Sequence, residues 1–136
     1  MKIILASHGG LAKGMKSTLN MIVGDQASIE AYSAYDEENI DFVSNIKKTI
    51  ENKGAEQIVI VTDVMGGSVN TAMTELVLKN PEVLLITGMN LPLVLSLATC
   101  IDNIDSSTVD RLVEEGQKGI IDVNKMINLA KEDEQI

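Results

Sequence analysis

The chain has no tryptophan, one phenylalanine, two tyrosines, one histidine and one cysteine. A lone cysteine excludes an internal disulfide framework and fits a reducing compartment. So few rings leave little surface for stacking on bases. Basic residues are also scarce. The 11 Lys and Arg face 20 Asp and Glu, giving a formal charge of −9, which argues against nucleic acid because phosphate backbones need clustered cations. With one histidine, one cysteine and no Cys-x-x-Cys, only an all-carboxylate metal site stays open, and neither metal nor cofactor is expected. No stretch serves as a signal peptide, since the opening apolar run Ile3-Ile4-Leu5-Ala6 is short and Gly9-Gly10 follows at once. Val83 to Ile101 carries no charge, but Thr87-Gly88-Met89-Asn90 and Pro92 divide it into a strand-length and a helix-length piece. A soluble, cytoplasmic protein without direct membrane insertion is expected.

What is present is an alternation of short apolar runs with amphipathic segments, the pattern of βαβ units and a parallel sheet. The 136 residues suit a single domain, 1–136. Strands are expected at Lys2 to Ser7, Ser28 to Tyr32, Gln57 to Thr62 and Val83 to Thr87. The first helix spans Leu11 to Val23, with Leu11, Met15, Leu19 and Ile22 at helical spacing. The second begins near Asp36, where Asp36, Glu37 and Glu38 favour the positive end of the helix dipole, and stops at Gly54. The third runs from Ser68 to Lys79, and the fourth from Leu91 to Cys100 with Pro92 in its first turn. The fourth is apolar nearly all round, which implies a cover beyond the sheet, with a dimer partner as the candidate. A further helix starts at Ser107, with a break bracketed by Gly116 and Gly119. Ile120 to Val123 fits a short strand, while Ile120, Val123 and Ile127 also fit a last helix. Periodicity does not separate the two.

Open parallel sheets gather ligands and reactive groups at the carboxyl ends of their strands, where strand order reverses. Those ends carry Ser7-His8-Gly9-Gly10, then Tyr32 to Asp36, then Asp63 with Gly66-Gly67-Ser68, and finally Gly88-Met89-Asn90. If the first and third strands are neighbours, His8 meets Asp63. A histidine at a strand end is often merely hydrogen-bonded. Here two glycines leave one ring nitrogen open, and Asp63 can fix the tautomer through the other. The Gly66-Gly67-Ser68 turn opens a helix, where unpaired backbone N–H groups favour an anion, though Ser68 as an ordinary N-cap explains the same residues. A nucleophilic nitrogen, an orienting carboxylate and an anion cradle together suggest a phosphoryl group carried on histidine.

Three rivals are weaker. Gly9-Gly10-Leu11-Ala12-Lys13-Gly14-Met15-Lys16-Ser17 nearly spells a P-loop, but Met15 separates the lysine from the last glycine and turns it about 100° around the helix. A phospho-aspartate receiver would use Asp63 with Thr87, yet Ser7-His8 stands where its acidic Mg²⁺-binding pair belongs. A Ser-His hydrolase on Ser7 and His8 is disfavoured because adjacent strand residues point to opposite faces.

Ser7-His8-Gly9, Asp63-Val64-Met65-Gly66-Gly67-Ser68 and Gly88-Met89-Asn90-Leu91-Pro92 fall in order on successive strand ends. In this the chain resembles the IIA component of the mannose-family phosphotransferase system (mannose, fructose, sorbose). The resemblance implies an α/β fold with an open, mainly parallel sheet, order 2-1-3-4, helices on both faces and a C-terminal antiparallel strand, for which Ile120 to Val123 is the candidate. It implies phosphorylation of His8 by the phosphocarrier HPr and transfer to the IIB component, with IIC and IID membrane components engaged indirectly. Asp63 would orient His8, while Gly9, Gly66, Gly67 and Ser68 would lie at the phosphoryl group. Members are commonly homodimers with the last strand exchanged. Better-known members continue Gly-Gly-Ser with Pro-Phe-Asn. Here Val69-Asn70 follows, and Met65 stands in place of an aromatic. A free IIA subunit, rather than a IIA–IIB fusion, is expected.

Overall fold

β1 (Lys2–His8) is buried on both faces from Ile3 to Ser7, as a central strand must be. The structure, a computed structural model, describes residues 1–25, 28–35 and 41–134. Around β1 the chain runs α1 (Leu11–Val23), β2 (Ile29–Ala34), α2 (Phe42–Glu51), β3 (Ile58–Thr62), α3 (Ser68–Lys79), β4 (Leu84–Thr87), α4 (Leu91–Ala98), α5 (Ser106–Lys118) and α6 (Val123–Glu134). The four strands form one parallel sheet in the order β2-β1-β3-β4. β1 therefore lies between β2 and β3, and the strand order reverses beside it.

Alternate strand residues feed two cores. Ile3, Leu5, Val59, Val61 and Ile86 face α1 and α4, with Leu112 of α5 behind them. Ile4, Ala6, Ile58 and Ile60 face Ile46 and Ile50 of α2 and Val69, Met73 and Leu76 of α3. Helices thus cover both faces, as expected. The inward side of α1 is Ala12, Met15 and Leu19, whereas Leu11 and Ile22 are exposed. The second cover that the apolar α4 requires comes from α5 of the same chain, through Val109, Leu112 and Val113. Gly116 does not break α5, which continues to Lys118 and is capped at Gly119. The expected start of the second helix at Asp36 lies outside the described residues. Within them the cap is Asp41, whose carboxylate accepts the Ser44 N–H at 3.2 Å.

One expectation is corrected. Among the described residues the sheet has no antiparallel strand, and Ile120 to Val123 does not form one. Gly119 closes α5, and the Asp122 carboxylate accepts the Lys125 N–H at 3.1 Å to start α6. Only Ile120 and Ile121 are left between these two caps, too few for a strand.

Candidate phosphoryl-transfer site

His8 ends β1 beside the carboxyl end of β3, and this puts Asp63 within reach. One oxygen, Asp63 Oδ2, accepts both the His8 backbone N–H and its ring Nδ1, each at 2.8 Å. The other oxygen accepts the Val64 N–H at 3.0 Å. Burial pushes the Asp63 carboxyl up, but the backbone and ring hydrogen bonds from His8 and its charge outweigh this, and the net direction is down. Asp63 is therefore an anion that can only accept. With Nδ1–H given to Asp63, the neutral form of the ring carries its lone pair on Nε2, pointing away from the carboxylate. The His8 side chain is 43% exposed and that of Asp63 only 10%. The imidazole faces solvent while its carboxylate partner is shielded.

Ser68, the first residue of α3, places Oγ 3.3 Å from His8 Nε2. No side chain caps α3, so its first turn presents unpaired backbone donors next to the same nitrogen. Gly67 explains how the loop comes so close. A Cβ there would stand 3.1 Å from His8 Cε1 and 3.1 Å from Val64 Cγ1. Gly66 adopts φ +80°, a conformation that suits glycine. Gly9 also has positive φ, and its N–H is committed to the Ala34 carbonyl at 3.0 Å. Of the residues expected at the phosphoryl group, Ser68 reaches the imidazole, Gly67 makes room for it, and Gly9 and Gly66 shape the turns.

Other features of the sequence take structural places. Ser7 is buried, and its Oγ accepts the Ala12 N–H at 2.7 Å to start α1. It forms no pair with the His8 ring, as strand alternation predicts. Asn90, from the third motif, accepts the Leu93 N–H at 3.0 Å and donates to the Gly116 carbonyl at 2.7 Å, joining α4 to α5. Met65 is exposed beside the site, while Met89 is buried in the core. Thr87, the receiver-like threonine, is held in β4, and its hydroxyl is buried.

Sequence reasoning placed Tyr35 at the carboxyl end of β2 but gave it no role. The structure sets its ring centroid 5.6 Å from that of His8, tilted 39°, with its hydroxyl 2.7 Å from Ser68 Oγ. Tyr35 is also the one non-glycine at positive φ among the described residues, at +61°. The signal available in sequence was one of a very few aromatics standing next to a strand end.

The family model described as the PTS system fructose IIA component matches residues 2–116. A sorbose-specific EIIA component from Lacticaseibacillus casei is 30% identical over 137 residues, covering 98% of this chain and 99% of that protein. A sorbose-specific EIIA component from Klebsiella pneumoniae is 30% identical over 115 residues, 84% of this chain and 82% of its own. Among solved structures, the PTS IIA protein associated with a fucose utilization operon from Streptococcus pneumoniae superposes with TM-score 0.80. It is 26% identical and covers 93% of this chain and 95% of its own.

Proposed function

Because the chain belongs to the mannose-family IIA components of the sugar phosphotransferase system, we propose that it is a phosphocarrier working through His8. His8 Nε2 takes a phosphoryl group from phospho-HPr and passes it to a IIB component, which couples the transfer to sugar uptake through IIC and IID. The observation that carries this reading is the double contact of His8 to Asp63 Oδ2. The two bonds fix ring and backbone together, so that in the neutral ring the lone pair sits on Nε2, aimed at Ser68 and the open start of α3.

Transfer is in line. The Nε2 lone pair forms a bond to phosphorus as the bond to the donor's imidazole nitrogen breaks, and that nitrogen recovers the electron pair. Nδ1 keeps its proton throughout, donating it to the Asp63 carboxylate as a hydrogen bond. Chemistry of this kind depends on positioning and charge stabilisation more than on covalent participation by neighbours. Ser68 and the α3 backbone donors supply both. No metal or nucleotide takes part.

We assign the whole chain, 1–136, to one IIA domain in the cytoplasm, acting as a homodimer. The excess of acidic residues suits basic docking faces on HPr and IIB. No helix among the described residues is long and apolar enough to cross a membrane. The sorbose-specific relatives favour a ketose or a similar sugar as the eventual substrate of the system. A phospho-aspartate role for Asp63 is disfavoured because both of its oxygens are already engaged.

Incubation with phospho-HPr should label the protein, and the label should be acid-labile and lost in His8→Ala with the fold intact. Asp63→Ala should slow labelling roughly 10- to 100-fold without abolishing it, as expected for loss of a group that orients a histidine. An acid-stable label, or one surviving His8→Ala, would sink the proposal.

A further inference from the structure

Donor accounting around His8 leaves one hydroxyl without a settled purpose. In the neutral ring Nδ1–H is given to Asp63, so Nε2 accepts, and the neighbouring donor is the Ser68 hydroxyl. With its hydrogen directed at Nε2, Ser68 Oγ can only accept from Tyr35, whose hydroxyl lies 2.7 Å away. The order is Tyr35 O–H to Ser68 O–H to Nε2, with every donor used once. This chain can exist only while the Nε2 lone pair is free. Once that pair is bonded to phosphorus, the acceptor at its end is gone, and three phosphoryl oxygens occupy the space in front of Nε2.

We propose that Tyr35 is a phosphoryl-binding residue of the His8 site. When Nε2 carries a phosphoryl group, the Ser68 and Tyr35 hydroxyls both turn from the imidazole chain to its oxygens, and the tyrosine ring covers one side of the phosphoimidazole. Three observations converge on it. The hydroxyl is one hydrogen bond from the atom that touches Nε2. The ring sits beside the imidazole at 5.6 Å although the side chain is 72% exposed, so it is not there to fill the core. The backbone holds a left-handed conformation that a tyrosine rarely adopts, a form of strain found where geometry serves a site. Ser68 alone offers one hydroxyl donor; Tyr35 makes two, on different elements, converging on the same group. Both hydroxyl oxygens already stand beside Nε2 before the group arrives, so only their hydrogens have to turn toward it. The ring also narrows the directions from which a partner's phosphohistidine, or water, reaches phosphorus.

The inference rests on His8 being the phosphorylated residue, and the experiment separates the two claims. Wild type, Tyr35→Phe, Ser68→Ala and the double variant are labelled with phospho-HPr. Labelling rate, hydrolysis half-life and the ³¹P resonance of each phospho-form are measured, with melting temperature as the folding control. Tyr35→Phe keeps the ring, so it should fold normally, accept phosphoryl about tenfold more slowly and show a displaced ³¹P resonance. Tyr35→Ala should in addition shorten the half-life of the phospho-form several-fold, because the shield is lost. In the Ser68→Ala background, Tyr35→Phe should still displace the resonance, since Tyr35 contacts the phosphoryl group itself. If it has no effect there, Tyr35 only holds Ser68 and the proposal is overturned. Normal labelling, half-life and resonance in Tyr35→Phe would overturn it as well, leaving His8 chemistry untouched. A wild-type protein that takes no label at all would remove the phosphocarrier reading and this inference with it.

Discussion

At the scale of single residues, the Asp63 carboxylate links stability to function. Its folded pKa lies below the ordinary 3.8, so on acidification the unfolded chain takes up a proton at this group before the folded one does. The stabilisation it provides is fully present above the ordinary carboxylate range and is lost as pH falls through the lower folded value. Asp63→Asn should therefore melt below wild type at pH 6, and the two melting curves should converge as pH is lowered toward 2. A gap independent of pH would show that the charge contributes nothing. Tyr35 presents the opposite trade. Its left-handed backbone costs of order 1–3 kcal/mol for a non-glycine residue, and its side chain recovers little by burial. Tyr35→Gly is expected to raise unfolding stability by up to about 1 kcal/mol while slowing phosphoryl transfer. His8 and Asp63 were legible in the sequence because their chemistry is rare in this chain and their strand ends are easily placed. Tyr35 was not. Its importance comes from a backbone angle and from the side-by-side placement of β1 and β2, and neither leaves a trace in residue spacing.

At the scale of elements, α4 and α5 show why a motif residue can be structural. Asn90 caps α4 and in the same stroke ties it to the Gly116 carbonyl of α5. Asn90→Ala should cost about 1–3 kcal/mol in chemical denaturation, a lost cap together with an abandoned carbonyl, and leave the His8 labelling rate near that of wild type. Gly119 has φ −73°, an angle open to any residue, so its smallness serves space and not conformation. A Cβ there would meet Pro92 Cγ at 2.5 Å and Cβ at 2.8 Å. Gly119→Ala should destabilise by about 1–3 kcal/mol through overpacking, despite alanine's better helix propensity. Most element bounds were legible, since α1 and α3 begin and end where glycine, serine and proline signals place them. The Gly116 and Gly119 pair misled, because glycine signals both a break and a close approach. In sequence the two look alike; only the Leu93 and Pro92 side chains facing these glycines tell them apart. The missing strand at Ile120 failed for a related reason. Two isoleucines read equally well as a strand and as the first apolar residues of a helix, and Asp122 decides by capping α6.

At the scale of the molecule, the sheet and its two helical layers need nothing beyond this chain, but α6 does. None of its residues is buried, and Val123, Met126 and Ile127 expose an apolar stripe at helical spacing. An isolated helix of this length is marginal in water, so its order calls for a covering surface. The proposed homodimer would provide one. The melting temperature should then rise with protein concentration, and sedimentation should show a monomer for Ile127→Asp. A wild-type melting temperature independent of concentration, with a monomer throughout, would rule the homodimer out. The order β2-β1-β3-β4 has a separate consequence for durability. β1 and β3 are the two interior strands, each paired on both sides, and they carry His8 and Asp63 at their ends. Their amides should exchange with deuterium only through global opening. On heating, the chain should stay competent for phosphorylation until the whole sheet comes apart. Inactivation and unfolding would then be a single event.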